Sequence, residues 1–151
     1  MPPASESDPD REPAPGRPGV AVLVSNRQPI DVDESQLVTV AERTLAGEGR
    51  GEGELSLSLV TVEEMTDLHV TYMGEEGPTD VLSFPLDEDG LLGDVVVCPA
   101  EAARNNPNLA AELRLLVAHG VLHLLGFDHD DENDRRVMWA KQEAYSGVST
   151  E

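Results

Sequence analysis

The chain has 151 residues, 39% of them hydrophobic and only 3% aromatic, which suits one domain with a core of ordinary size. Ten basic against thirty acidic residues leave a formal net charge of −20, a surface that repels polyanions at long range and favours basic proteins or metal cations. No apolar run approaches the roughly 18 residues that span a bilayer, no charged-then-apolar leader marks export, and the single cysteine, Cys98, excludes an internal disulfide, so the expected location is the cytoplasm.

Residues 1–17, MPPASESDPDREPAPGR, combine proline, serine and charge without a periodic apolar pattern, which predicts a disordered arm. Residues 18–151 are expected to form a single domain. GVAVLVSNRQ, from Gly19, is a short apolar run suited to a strand. DESQLVTVAERTLAGEG predicts a helix, with Asp33 or Ser35 as its cap and Gly47 and Gly49 at its end. ELSLSLVTV alternates polar and apolar residues, the pattern of a half-buried strand. Thr61-Val62-Glu63-Glu64 has the spacing of a capping box, in which a hydroxyl and a carboxylate satisfy each other's backbone N–H groups; it opens a helix to about Met73. GEEGPTD is turn material. DVLSFPL and GDVVVCP are two further strands around the acidic loop DEDGLL, paired as a hairpin, with Pro85 tolerated if the first is a sheet edge. Asn106 before Pro107 predicts the cap and first turn of a long helix to Leu125, apolar around nearly its whole circumference and therefore central. DDENDRRVMWAKQEAY is a last helix with acids in its first turn. The order β-α-β-α-β-β-α-α-α describes an α+β fold, a small mixed four-stranded sheet packed with about five helices.

Residues 119–129, HGVLHLLGFDH, hold three of the four histidines. His119 and His123 are one helical turn apart, so their rings share a face at about 6 Å along the axis and suit a common metal ion. On a continued helix His129 would lie roughly 15 Å further on and face elsewhere. Metal–nitrogen bonds of about 2.0–2.1 Å require the helix to stop and the chain to turn back. Gly126 stands where that stop is needed, because glycine enters the left-handed region without a Cβ penalty. Phe127 is then expected to pack into the core while Asp128 and His129 return to the site. Three neutral nitrogen ligands with room for water describe a catalytic zinc site, one ion per chain. The spacing matches the metzincin proteases, yet those enzymes carry a glutamate base directly after the first histidine, where this chain has Gly120. The site keeps the metal and lacks the protease's base.

HGVLHLLGFDH also resembles the signature of the YbeY family of bacterial endoribonucleases, as do PTDVLSFP at 78–85 and LLGDVVVCP at 91–99, in that family's order and spacing. The resemblance extends from about Gly19 to Tyr145. It implies a zinc-dependent, single-strand-specific endoribonuclease of the cytoplasm, acting in small-subunit ribosomal RNA maturation and ribosome quality control. By position, His119, His123 and His129 match the metal ligands of the family. Thr79, Asp80, Ser83, Phe84 and Pro85 match its strand motif, which borders the substrate groove. One departure stands out: where many members have an arginine after the aromatic residue, thought to help with the phosphate, Tyr72 is followed by Met73.

The chemistry expected from such a site is metal-bound water, its pKa lowered to about 7, attacking a phosphodiester, or stabilisation of charge as the RNA's own 2′-hydroxyl attacks. Asp128 is the nearest carboxylate, as a base or as an orienter of a ligating imidazole; helix capping is its alternative role. RNA binding ordinarily rests on Lys and Arg. Here Arg104, Arg114, Arg135 and Arg136 are the nearby cations, each expected first as exposed helix decoration, and Tyr72 and Trp139 suit packing. The acidic surface points instead to docking on basic small-subunit ribosomal proteins. His69 is expected at the surface or in a cap, and Cys98 in buried packing. Two other readings remain: a metallopeptidase-like hydrolase, and a non-catalytic ribosome-assembly factor with structural zinc.

Overall fold

The structure is a computed structural model that describes residues 20–88, 90–128 and 130–148, without the side chains of 87 and 88. The expected arm over residues 1–17 lies outside the described residues. Four strands form one sheet in the order β1-β2-β4-β3, where β1 is Val20–Asn26, β2 Gly53–Leu59, β3 Val81–Glu88 and β4 Leu91–Val97. β1–β2 and β2–β4 are parallel, and β3 runs antiparallel to β4, so the sheet is mixed as expected. Five α-helices accompany it: α1 Glu34–Gly47, α2 Val62–Leu68, α3 Pro99–Asn105, α4 Leu109–Leu124 and α5 Glu132–Ser146. No described helix is long and apolar enough to cross a membrane.

Period-two alternation decides what each strand gives to each face. On β2, Leu55, Leu57 and Leu59 point to a core shared with α1 and α4, together with Val95 and Val97 of β4. Each such side chain contributes about 1.5–3 kcal/mol on full burial. The opposite face holds a smaller apolar cluster of Val60, Met65, Leu82, Val96 and Cys98 under α2. Cys98 is thus packing, and burial pushes its thiol pKa up, away from reactivity. α4 is the central helix its composition demands, buried from Ala111 to Leu124 on all sides but the histidine face.

Several local expectations change. Asp33 rather than Ser35 caps α1, accepting from the backbone N–H groups of Ser35 and Gln36. The capping box is half formed: Thr61 Oγ1 accepts from Glu64 N at 3.1 Å, while the Glu64 carboxylate is taken by Arg27 at 2.7 Å. The helix reaches Met73 as expected, yet its last five residues, His69–Met73, widen into a π-helical turn that Gly74 ends at φ +68. α4 begins two residues after the expected start, because Asn108 caps it by accepting from Ala111 N; Asn106 instead ends α3 and accepts from Asn108 N. The strands continue to Glu88 and from Leu91, so most of the expected acidic loop is strand.

Candidate metal centre at the edge of the sheet

β3 is an edge strand, and α4 crosses the sheet beside it. What brings them close is Gly120: a Cβ there would lie 2.6 Å from Val95 Cγ1 and 3.1 Å from Val81 Cγ2. Ser83 Oγ donates to the Gly120 carbonyl at 2.7 Å, tying strand to helix. The position that carries the metzincin base is therefore packed against the sheet and has no room for a side chain. A cavity of about 290 Å³ opens next to this contact, lined by Met73, Val81, Leu82, Ser83, His119 and His123.

The two half-buried imidazoles meet there as the one-turn spacing requires, with centroids 4.6 Å apart and planes at 74°. His119 Nδ1 lies 2.9 Å from Gln142 Oε1 on α5, and the Trp139 ring stands edge-on to His119 at 6.2 Å. After Leu124 the helix stops as anticipated. Gly126 adopts φ +103, its N–H donates to His123 O, and Phe127 N–H donates back to Leu122 O, the paired bonds of a Schellman cap. Phe127 does not enter the core as expected; it lies half-buried under Lys141 Nζ, 5.3 Å from the ring centroid. Asp128 is exposed. His129 lies outside the described residues, and among those described no set of three His, Cys, Asp or Glu side chains is grouped to hold an ion. The donor set in hand is two neighbouring imidazoles, which fits two nitrogen positions of a divalent metal.

The strand motif divides. Ser83 joins the histidines, whereas Phe84 faces the other side of the sheet, edge-on to Tyr72 at 5.3 Å. Asp80 accepts from Asn105 Nδ2 at 3.0 Å, towards α3. Neither Thr79 nor Pro85 lines the cavity, and Pro85 is exposed opposite Gly93 on the hairpin. Arg104 pairs with Glu101, and Arg114 donates to Ser146 O and Gln36 Oε1, away from the cavity; Arg135 and Arg136 are exposed. Tyr72, expected in packing, meets Phe84 edge-on but is 63% exposed. His69 is neither on the surface nor a mere cap, since its Nδ1 contacts Gly77 O at 2.8 Å and its Nε2 lies 3.4 Å from Glu75, holding the 74–77 turn. Sequence reasoning missed Gln142. The available signal was a polar residue on the buried stripe Met138-Gln142-Ser146.

With that geometry in hand, comparison with known proteins is decisive. The profile of the family Endoribonuclease YbeY matches residues 23–147. The chain belongs to that family. Relatives named Endoribonuclease YbeY include those of Frankia casuarinae, 46% identical over 82% of this chain and 71% of the relative, and Thermobifida fusca, 42% identical over 82% and 90%. Among solved structures, the solution structure of TM1509 from Thermotoga maritima matches with a TM-score of 0.57 at 30% identity, over 83% of this chain and 86% of that one. The YbeY match runs from within β1 to the end of α5, the histidine pair included.

Proposed function

We propose that this chain is a metal-dependent, single-strand-specific endoribonuclease acting in the cytoplasm on ribosomal RNA, in small-subunit maturation and ribosome quality control. The observation that carries the reading is the pair of imidazoles, His119 and His123, converging on a cavity at an open sheet edge in a chain of the YbeY family. His129, four residues past the C-cap of α4 at Leu125, is the proposed third ligand, and zinc the proposed ion. When bound, such an ion lowers the pKa of a coordinated water to about 7 and polarises a phosphoryl oxygen.

The chain's own residues supply the rest. His119, His123 and His129 would hold the ion through ring nitrogens. The edge strand β3 offers unpaired backbone donors and acceptors along which an extended strand of RNA lies, Ser83 nearest the histidines and Thr79, Asp80, Phe84 and Pro85 along the rest of the motif. Asp128 serves as a base or as the orienter of a ligating imidazole. The catalytic unit is a single domain over 18–151. With a net charge of −20, delivery to RNA proceeds by docking on basic small-subunit ribosomal proteins.

A peptidase reading is disfavoured by Gly120, where the packing against Val95 excludes the glutamate that such enzymes need. One observation favours a non-catalytic assembly factor with a structural ion: the cavity carries Met73, half exposed, at the position where many YbeY sequences carry arginine. Elemental analysis of the purified protein, coupled to cleavage of single-stranded RNA and of casein with and without chelator, separates the three. Chelator-sensitive RNA cleavage without proteolysis is expected. Bound metal with no cleavage of either substrate leaves only the assembly factor.

A further inference from the structure

α5 meets α4 along a stripe of residues four apart, Met138, Gln142 and Ser146. The methionine is ordinary packing. A glutamine with only 3% of its surface exposed is not, because an unpaired buried amide costs about 1–3 kcal/mol. Its oxygen faces His119 Nδ1 at 2.9 Å. Trp139, on the preceding turn of α5, stands edge-on to the same imidazole with its plane at 87°, and the His123 ring flanks it at 74°. Gln142 and Trp139 of α5 and His123 of its own helix thus all meet the His119 ring, and the contact with Gln142 is a directed hydrogen bond.

That bond has a chemical consequence. A carboxamide oxygen accepts and never donates, so the proton it meets is on Nδ1. A neutral imidazole has one N–H, which leaves the lone pair on Nε2. We propose that Gln142 is a positioning residue that sets the tautomer of His119, fixing Nε2 as the ring's lone-pair nitrogen at the cavity it lines with His123, Ser83 and Met73. A neutral amide does this without burying a further negative charge in a chain that already carries thirty acids. The consequence for metal rests on the proposed function; the tautomer itself stands on the geometry of α4 and α5.

The test reads the two separately. In metal-free protein with 15N-labelled histidine, at a pH where the rings are neutral, long-range 1H–15N correlation is expected to show His119 protonated on Nδ1 and bare on Nε2. Gln142→Glu keeps an acceptor and is expected to keep this pattern. Gln142→Leu removes it and is expected to give mixed tautomers and a zinc Kd weaker by about 10–100-fold, measured by competition with a chromophoric chelator. A parent protein with the His119 proton on Nε2 overturns the proposal, as does a Gln142→Leu protein that keeps both the single tautomer and the zinc affinity. A parent that binds no zinc removes the metal reading alone, since the spectra were recorded without metal. Should Gln142→Leu fail to fold, the parent and Gln142→Glu spectra still decide.

Discussion

The two faces of the sheet carry cavities of nearly equal size and opposite chemistry. On the α4 side, about 290 Å³ is lined by Met73, Ser83 and two imidazoles. On the other, about 300 Å³ is lined by Arg27, Glu64, Tyr72, Phe84 and Asp94. Chain neighbours part company between them: Ser83 from Phe84 by strand alternation, and Met73 from Tyr72 at the end of the π-helical turn. The second cavity already contains its cation, since Arg27 clamps Glu64 through both Nε and Nη2. The first offers imidazole nitrogens, whose lone pairs suit a metal. Among the described residues, two rings on one helix face rather than the chain's acidic side chains line the candidate metal centre.

Removing either ring should break the comparison most severely. His119→Ala or His123→Ala is expected to cut RNA cleavage by more than about 100-fold, beyond the 10–100-fold worth of outer partners, while circular dichroism stays unchanged. Next in size is Gly120→Ala, whose methyl meets Val95 and Val81; overpacking there is expected to cost about 1–3 kcal/mol in urea unfolding, separating α4 from β3 and closing the cavity's definition. The neighbouring pair at the π-helical turn sharpens the contrast. Met73→Arg is expected to raise cleavage about tenfold, the worth of one charge-assisted hydrogen bond to phosphate at roughly 1.5 kcal/mol, whereas Tyr72→Ala on the other face is expected to leave it unaltered. A rise with both, or with neither, would erase the distinction between the faces.

The smallest effect belongs to Asp94. Burial raises its pKa above the usual aspartate range, against the hydrogen bonds from Ser56 and Ser58 and the pull of Arg27. The folded state thus holds its proton more tightly than the unfolded chain does. Its favourable contribution is complete below the ordinary aspartate pKa and is lost as pH rises through the raised value. Asp94→Asn is accordingly expected to gain a little thermal stability at neutral pH, with the gain vanishing in acid; a constant difference across pH would remove burial as the cause.

Much of this was legible along the chain. Alternation in ELSLSLV, the apolar girth of α4 and the glycine at 126 are local patterns, and a half-buried strand, a central helix and a helix stop follow from them, whereas the spatial strand order β1-β2-β4-β3 does not. The sequence places the helix start at Asn106, but Asn108, two residues on, is an equally good cap, and the neighbouring α3, which ends on Asn106, leaves Asn108 to open α4. PTDVLSFP is one motif in sequence, and the pleat of β3 turns Ser83 and Phe84 to opposite faces.

By itself, the sequence determined that His119 and His123 share a helix face and that the helix ends at Gly126, because both depend on bonds within a few residues. Only the tertiary structure decided that Gly120 lies hard against Val95, that Ser83 rather than Phe84 joins the rings, and that Gln142 holds Nδ1 of His119. Those contacts join residues far apart in the chain, 23 positions for His119 and Gln142 and 37 for Ser83 and Gly120, and depend on how whole helices seat on a twisted sheet, a packing outcome that no local pattern encodes.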